Sequence, residues 1–136
     1  MGFVDETTLV TFVTAPARAG FPSPADDYME KSLSLNDLII RNPANTFLFT
    51  VEGNSMVDAY VDDGDLLVVD RSIPPKNGDL ALIKLDGGFI VKQFFRKRDH
   101  VMLESRNKDY EPIRVEEGRE FEVFGKVTFA IHRFGG

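Results

Sequence analysis

Few residues in this chain have types that could carry covalent chemistry, and one of them stands in an unusual place. Gly53-Asn54-Ser55-Met56 makes a glycine-bearing turn between two strand-like runs, residues 47–51 and 66–69, with an acidic loop after it. A serine at the end of a strand is either an ordinary turn residue or a nucleophile. A hydroxyl attacks poorly unless a neighbouring base takes its proton. Histidine is the usual base, and the chain has 2, His100 and His132. His100 falls at the far end of a hairpin and His132 in the C-terminal strand beside Arg133. Neither has a spacing that points at Ser55, and both read more simply as surface or core histidines.

Lysine is the other available base. Lys92 lies inside the apolar run Phe89-Ile90-Val91-Lys92-Gln93-Phe94, with the parity of Ile90 and Phe94. In a strand it therefore points where they point. If that face is inward, burial disfavours the charged amine and lowers its pKa. The shift matters, because an unperturbed lysine at about 10.4 is neutral in fewer than roughly one molecule in a thousand at pH 7. The competing reading is a stem that snorkels until its amine reaches water. Pattern alone leaves both open. Asp62, Asp63 and Asp65 read as a solvated turn.

The elements that must hold these groups are mostly strands. Residues 1–30 carry Pro16, Pro22 and Pro24 in a stretch rich in Ala, Gly, Ser and Asp. Such a stretch resists both helix and central strand, and reads as a flexible, extended N-terminal arm with one short strand at 9–13. Residues 34–41 form one helix, capped by Ser34 with Asp37 three residues on; Leu35, Leu38 and Ile39 share a face, and Pro43 ends it. From Thr46 onward the pattern is strands. Phe47, Phe49 and Val51 alternate with Thr46, Leu48 and Thr50, and two apolar runs each open on Gly-Asp, at 64–65 and 78–79. Asp86-Gly87-Gly88 is a tight hairpin turn. Residues 100–105 make a further strand, a polar loop follows, and residues 121–134 close the chain. In that last run Phe121, Val123, Val127, Phe129 and Ile131 take one parity, while Phe124, Ala130 and Phe134 take the other. A strand apolar on both faces is central in a sheet or buried against a partner subunit. The expected fold is mainly β, a body of twisted hairpins over residues 31–136 with one short helix.

Composition narrows the function. At 136 residues, 43% hydrophobic and 28% charged, the chain suits one ordinary globular domain. With no cysteine, thiol catalysis, disulfides and Cys-based metal sites are excluded. No apolar run approaches the roughly 20 residues that span a bilayer, and residues 1–10 do not pattern as a secretory signal, so no membrane role and a cytoplasmic location are expected. The net charge of −6 repels phosphate backbones, so direct sequence-specific DNA binding is not expected. The basic cluster Arg96-Lys97-Arg98 reads as a solvated hairpin turn.

The pieces also form an ordered set. Gly53-Asn54-Ser55-Met56, then residues 63–70 (DGDLLVVD), then Gly78-Asp79, then Ile90-Val91-Lys92 resemble the LexA/UmuD family of self-cleaving serine–lysine peptidases, the S24 type. Within it the likeness is greatest to the UmuD branch, accessory subunits of DNA polymerase V. It extends over residues 19–134 through AGFPSPADDY, LNDLIIRNP, SRNKDYEPI and EVFGKV, in order and at similar spacing. One G-x-S-M would match many turns; the ordered set is specific.

The resemblance implies a LexA/UmuD-like fold, with Ser55 as nucleophile and Lys92, 37 residues on, as its neutral general base. It implies an oxyanion held by the backbone N–H groups of Asn54 and Ser55, and no cofactor or metal. The substrate is the chain's own arm, cut between Ala19 and Gly20. A RecA filament on single-stranded DNA is the implied co-protease in the SOS response to DNA damage. The cleaved product is a homodimer that joins a UmuC-type Y-family polymerase in translesion synthesis. Other readings are a binding module whose dyad is unused, a signal peptidase, which needs a membrane anchor, and a phage-repressor-like regulator, which needs an N-terminal DNA-binding domain.

Overall fold

The computed structural model describes residues 8–22 and 29–135. Residues 1–7 and 23–28, including Pro24 of the expected arm, lie outside the described residues. The chain divides into two compact units, Met1–Arg41 and Asn42–Gly136. Among the described residues no helix is long and apolar enough to cross a membrane.

The first unit is a hairpin and a helical turn. Strand β1 (Leu9–Val13), at the expected residues, pairs antiparallel with β2 (Glu30–Ser34), from Leu9 opposite Ser34 to Val13 opposite Glu30. Beyond the ladder Thr14 N–H donates to the Met29 carbonyl at 2.9 Å, and Met29 N–H donates to Thr14 Oγ1 at 2.8 Å. Residues 9–14 are thus paired rather than a free arm. Helix α1 (Leu35–Ile39) follows, capped as expected: Ser34 Oγ accepts from Asp37 N–H at 3.3 Å. It stops short of Arg41, because the Ile40 backbone turns extended three residues before Pro43.

The second unit is one antiparallel sheet of 7 strands, ordered β3-β4-β9-β5-β6-β7-β8. Its strands are β3 (Thr46–Thr50), β4 (Leu66–Asp70), β5 (Leu80–Leu85), β6 (Gly88–Arg96), β7 (Val101–Glu104), β8 (Ile113–Val115) and β9 (Phe121–Ile131). Sequence and structure agree on a mainly β, LexA/UmuD-like domain. Asp86 and Gly87 form the two-residue loop between β5 and β6 with φ of 51° and 89°. Both values lie in the left-handed region that a type I′ hairpin turn demands, which is why Asp-Gly stands there.

Strand β9 lies between β4 and β5, so its two apolar faces belong to a central strand. Register shifts opposite Val68/Val69 and opposite Leu82/Ile83 mark bulges that swap its parity. Phe124 and Val127, of opposite parity, consequently share one core cluster with Val51, Met56, Val61, Leu67, Val69 and Leu82. Phe121 and Val123 pack instead on a second cluster of Ala81, Ile83, Phe94, Val101, Leu103 and Val115. Between the bulges stands Gly125, where a Cβ would meet the Asp70 carbonyl oxygen at 2.7 Å; β4 and β9 approach this closely only because no side chain intervenes. Phe49 of β3 meets Phe89 of β6 at 5.1 Å between ring centroids, and each packs edge-on against Phe124, at 5.5 and 5.6 Å. Strands four places apart in the order touch, so the sheet is curled strongly on itself.

Candidate active site

The turn after β3 is built to hold residue 55 still. Gly53 has φ of +98°, a conformation that favours glycine, and its N–H donates to Asp63 Oδ1 at 2.8 Å. Val51 N–H donates to the Asp65 carbonyl at 2.9 Å, and Gly64 N–H returns to the Val51 carbonyl at 2.8 Å. Directly after the serine, Met56 is 1% exposed in the first core cluster, and its carbonyl accepts from Ala59 and Val61 N–H. Ser55 is therefore fixed between a braced glycine and a buried methionine.

The acidic loop is only in part the solvated turn its composition implied: Asp62 and Asp63 are exposed, but Asp65 is buried. Asp63 caps Gly53, and Asp65 is 2% exposed. The Asp65 carboxylate accepts from Asp62 N–H at 2.9 Å and pairs with His132 Nδ1 at 2.6 Å. Burial acts to raise the Asp65 pKa, but the bonds from Asp62 and His132 outweigh it, and the carboxyl lies below its ordinary value. His132 is raised in return, chiefly by that hydrogen bond. His100 is engaged with Asp99 at 2.7 Å. Both histidines thus have carboxylate partners.

Lys92 shares its face with Ile90 and Phe94, which pack on the second core cluster, and is 8% exposed. The amine does not snorkel to water. It lies 3.0 Å from Ser55 Oγ and 2.7 Å from Ser105 Oγ, hydrogen-bonded to both. Burial holds its pKa below the ordinary lysine value. The Tyr110 ring stands 5.7 Å away, near the outer limit at which a π-face favours a cation.

A second segment clamps the turn from the connection between β7 and β8. Arg106 N–H donates to the Ser55 carbonyl at 2.8 Å, Asp58 N–H donates to the Arg106 carbonyl at 2.7 Å, and Asn107 Nδ2 donates to the Asn54 carbonyl at 2.8 Å. Among the described residues neither Asn54 N–H nor Ser55 N–H has an internal acceptor. Beside Ser55 opens a cleft of about 320 Å³, walled by Phe49, Val51, Leu67, Leu82, Phe89 and Val91. Two unpaired strand edges border it. Among the described residues β3 pairs with β4 alone, and residues 88–92 of β6 pair with β5 alone, since β7 joins only from Gln93. Ala19 and Gly20 stand in an exposed bend of the first unit, in the loop between β1 and β2. Nothing in the sequence gave Asp63 a role beyond a solvated turn, and nothing singled out Ser105, Arg106 or Asn107, although these three lie in the quoted stretch SRNKDYEPI.

Comparison with known proteins agrees with the motif-based resemblance. The model of the family described as Peptidase S24-like matches residues 12–128. Protein ImpA of Salmonella typhimurium is 43% identical over 117 residues, covering 85% of this chain and 79% of that protein. Protein MucA of Escherichia coli is 34% identical over 123 residues, covering 90% of this chain and 84% of its own length. LexA repressor 1 of Geobacter sulfurreducens is 32% identical over 124 residues, covering 90% of this chain and 61% of the repressor.

Proposed function

The chain belongs to the Peptidase S24-like family, and from that premise we propose that it is a serine endopeptidase that cuts itself between Ala19 and Gly20. One observation carries the reading: a buried lysine amine lies 3.0 Å from the hydroxyl of a serine held in a braced turn. Neutral Lys92 accepts the Ser55 proton as Oγ attacks the Ala19 carbonyl. The resulting oxyanion is met by the N–H groups of Asn54 and Ser55, whose lack of internal acceptors supports that role. Collapse of the tetrahedral intermediate breaks the C–N bond. The proton on Lys92 passes to the departing Gly20 amine, and water then hydrolyses the acyl ester at Ser55. The open strand edges beside the cleft suit an extended peptide paired by its backbone. Gly20 carries no side chain and so adds no bulk just beyond the bond.

By its resemblance to the UmuD branch, the protein acts in the SOS response. Cleavage is stimulated by the RecA filament on single-stranded DNA, and the product works as a homodimer with a UmuC-type polymerase in translesion synthesis in the cytoplasm. The filament's part is to favour a cleavage-competent pose, since a tethered substrate needs positioning more than affinity. A dimer face is supported by the row Leu48, Val68 and Phe129, aligned across β3, β4 and β9, with Ile131 beside it. Leu48, Phe129 and Ile131 are 55%, 39% and 41% exposed, much apolar surface for one patch.

The test is the mass of purified wild type and Ser55→Ala after incubation at pH 10. Loss of residues 1–19 from the wild type alone is the expected result. Cleavage in Ser55→Ala removes the nucleophile assignment. Both chains intact, even with RecA, ATP and single-stranded DNA, leaves a binding module with a silent dyad.

A further inference from the structure

We propose that Ser105 is a positioning residue for the self-cleavage step, holding the Lys92 amine so that its lone pair faces Ser55 Oγ. The proposal rests on the Ser55–Lys92 reading above. A neutral lysine amine has two N–H bonds and one lone pair, and only the lone pair can accept the serine proton. Rotation about the Cε–Nζ bond is otherwise free. Two hydroxyls bracket the nitrogen, Ser55 at 3.0 Å and Ser105 at 2.7 Å. An Nζ–H donated to Ser105 Oγ removes that rotation and leaves the lone pair for Ser55.

Chain connectivity adds to this. Ser105 is followed by Arg106, whose N–H donates to the Ser55 carbonyl, and by Asn107, whose side chain donates to the Asn54 carbonyl. One three-residue segment therefore holds the base with its first residue and the nucleophile turn with the next two, setting their separation. Ser105 is not a second nucleophile on this geometry, because the N–H beside it, that of Arg106, is already committed to Ser55. Among the described residues the amine meets Ser55 from the turn and Ser105 and Tyr110 from the β7–β8 connection, Ala81 lies across the ladder on β5, and Glu52 lines the same cleft. Tyr110 and Glu52 are the titratable groups among them.

The test compares Ser105→Thr with Ser105→Val in the full chain, two side chains of one shape that differ in the hydroxyl. Self-cleavage rates are measured from pH 7 to 10.5 beside Ser55→Ala and Lys92→Ala, with urea unfolding to show that each variant is folded. Threonine is expected within about threefold of wild type. Valine is expected about 10- to 100-fold slower at the high-pH plateau, as for a misplaced catalytic group. Its pH midpoint is expected to move down, because a hydroxyl oxygen stabilises the ammonium more than the amine. A valine variant with wild-type rate and midpoint overturns the proposal while Ser55→Ala and Lys92→Ala stay inactive. Equal slowing by valine and threonine overturns it too, since the loss is then steric. Cleavage by Ser55→Ala or Lys92→Ala overturns the dyad itself, and the role of Ser105 with it.

Discussion

Asp63→Ala separates bracing of the nucleophile turn from chemistry at the base. The substitution removes the acceptor of Gly53 N–H, 2.8 Å from Asp63 Oδ1, two residues before Ser55. The bond is exposed, so its net worth is about 1 kcal/mol, and the freed N–H regains water. Val51 N–H to the Asp65 carbonyl and Gly64 N–H to the Val51 carbonyl both survive, at 2.9 and 2.8 Å. The turn therefore stays fastened at its base and loosens only at its tip. If the competent tip is favoured by about 1 kcal/mol, its loss slows self-cleavage about fivefold. Asp63→Asn keeps an oxygen acceptor and is expected within about twofold of wild type. The assay is a time course of intact mass at several pH values, with urea unfolding in parallel. The pH midpoint is expected to stay where it is, because Lys92 keeps both its partners. A wild-type rate in Asp63→Ala, or equal slowing by alanine and asparagine, refutes the bracing role.

Wild-type self-cleavage without a co-protease accelerates as pH rises from 7 towards 10, because the reactive Lys92 is the neutral one. Since burial lowers its pKa, the curve levels off below the 10.5 of an ordinary lysine, and a flat pH–rate profile rules lysine out as base. Gly125→Ala drives a Cβ to 2.7 Å from the Asp70 carbonyl oxygen and 2.9 Å from Arg71 Cα, both backbone atoms that cannot swing aside. Urea unfolding is expected to show a loss of about 1–3 kcal/mol, and a change under about 0.5 kcal/mol contradicts the close approach. Phe129→Glu sets a charge in the apolar row of β3, β4 and β9 and is expected to sediment as a monomer; a dimer of wild-type stability moves the interface elsewhere.

What was readable beforehand divides by the range of the interaction. The Asp86-Gly87 turn and the Ser34 cap rest on neighbours a few residues apart, and each stands where local chemistry puts it; β1 also stands at its expected residues, although its partner β2 lies further along the chain. Ser55 and Lys92 came from an ordered motif set, while their separation came only from the fold. Strand β2 is not legible in the sequence, because Glu30-Lys31-Ser32-Leu33-Ser34 has little strand character alone and pairs where β1 offers an edge. Strand β8 reads as polar loop in the sequence, since three residues carry too little period to register. The parity of β9 misled because two bulges reverse it midway. Ser105 and Asp63 are ordinary polar residues in the sequence; they acquire roles from groups 13 and 10 residues away.

The hairpin of the first unit gives the proposed cut a consequence beyond the broken bond. Thr14 and Met29 close the loop of residues 15–28, so Ala19 and Gly20 lie inside a ring fastened by the β1–β2 ladder. Cutting a fastened ring separates nothing at once. It turns strand pairing from folding within one molecule into binding between two, and the tether's millimolar-scale effective concentration disappears. Five residue pairs whose β1 side chains are all exposed are too slight a contact to offset the lost translational freedom, so the peptide drifts off and dilution keeps it away. Its departure makes the event a ratchet and bares the edge of residues 30–34, an unpaired strand open to whatever chain docks next.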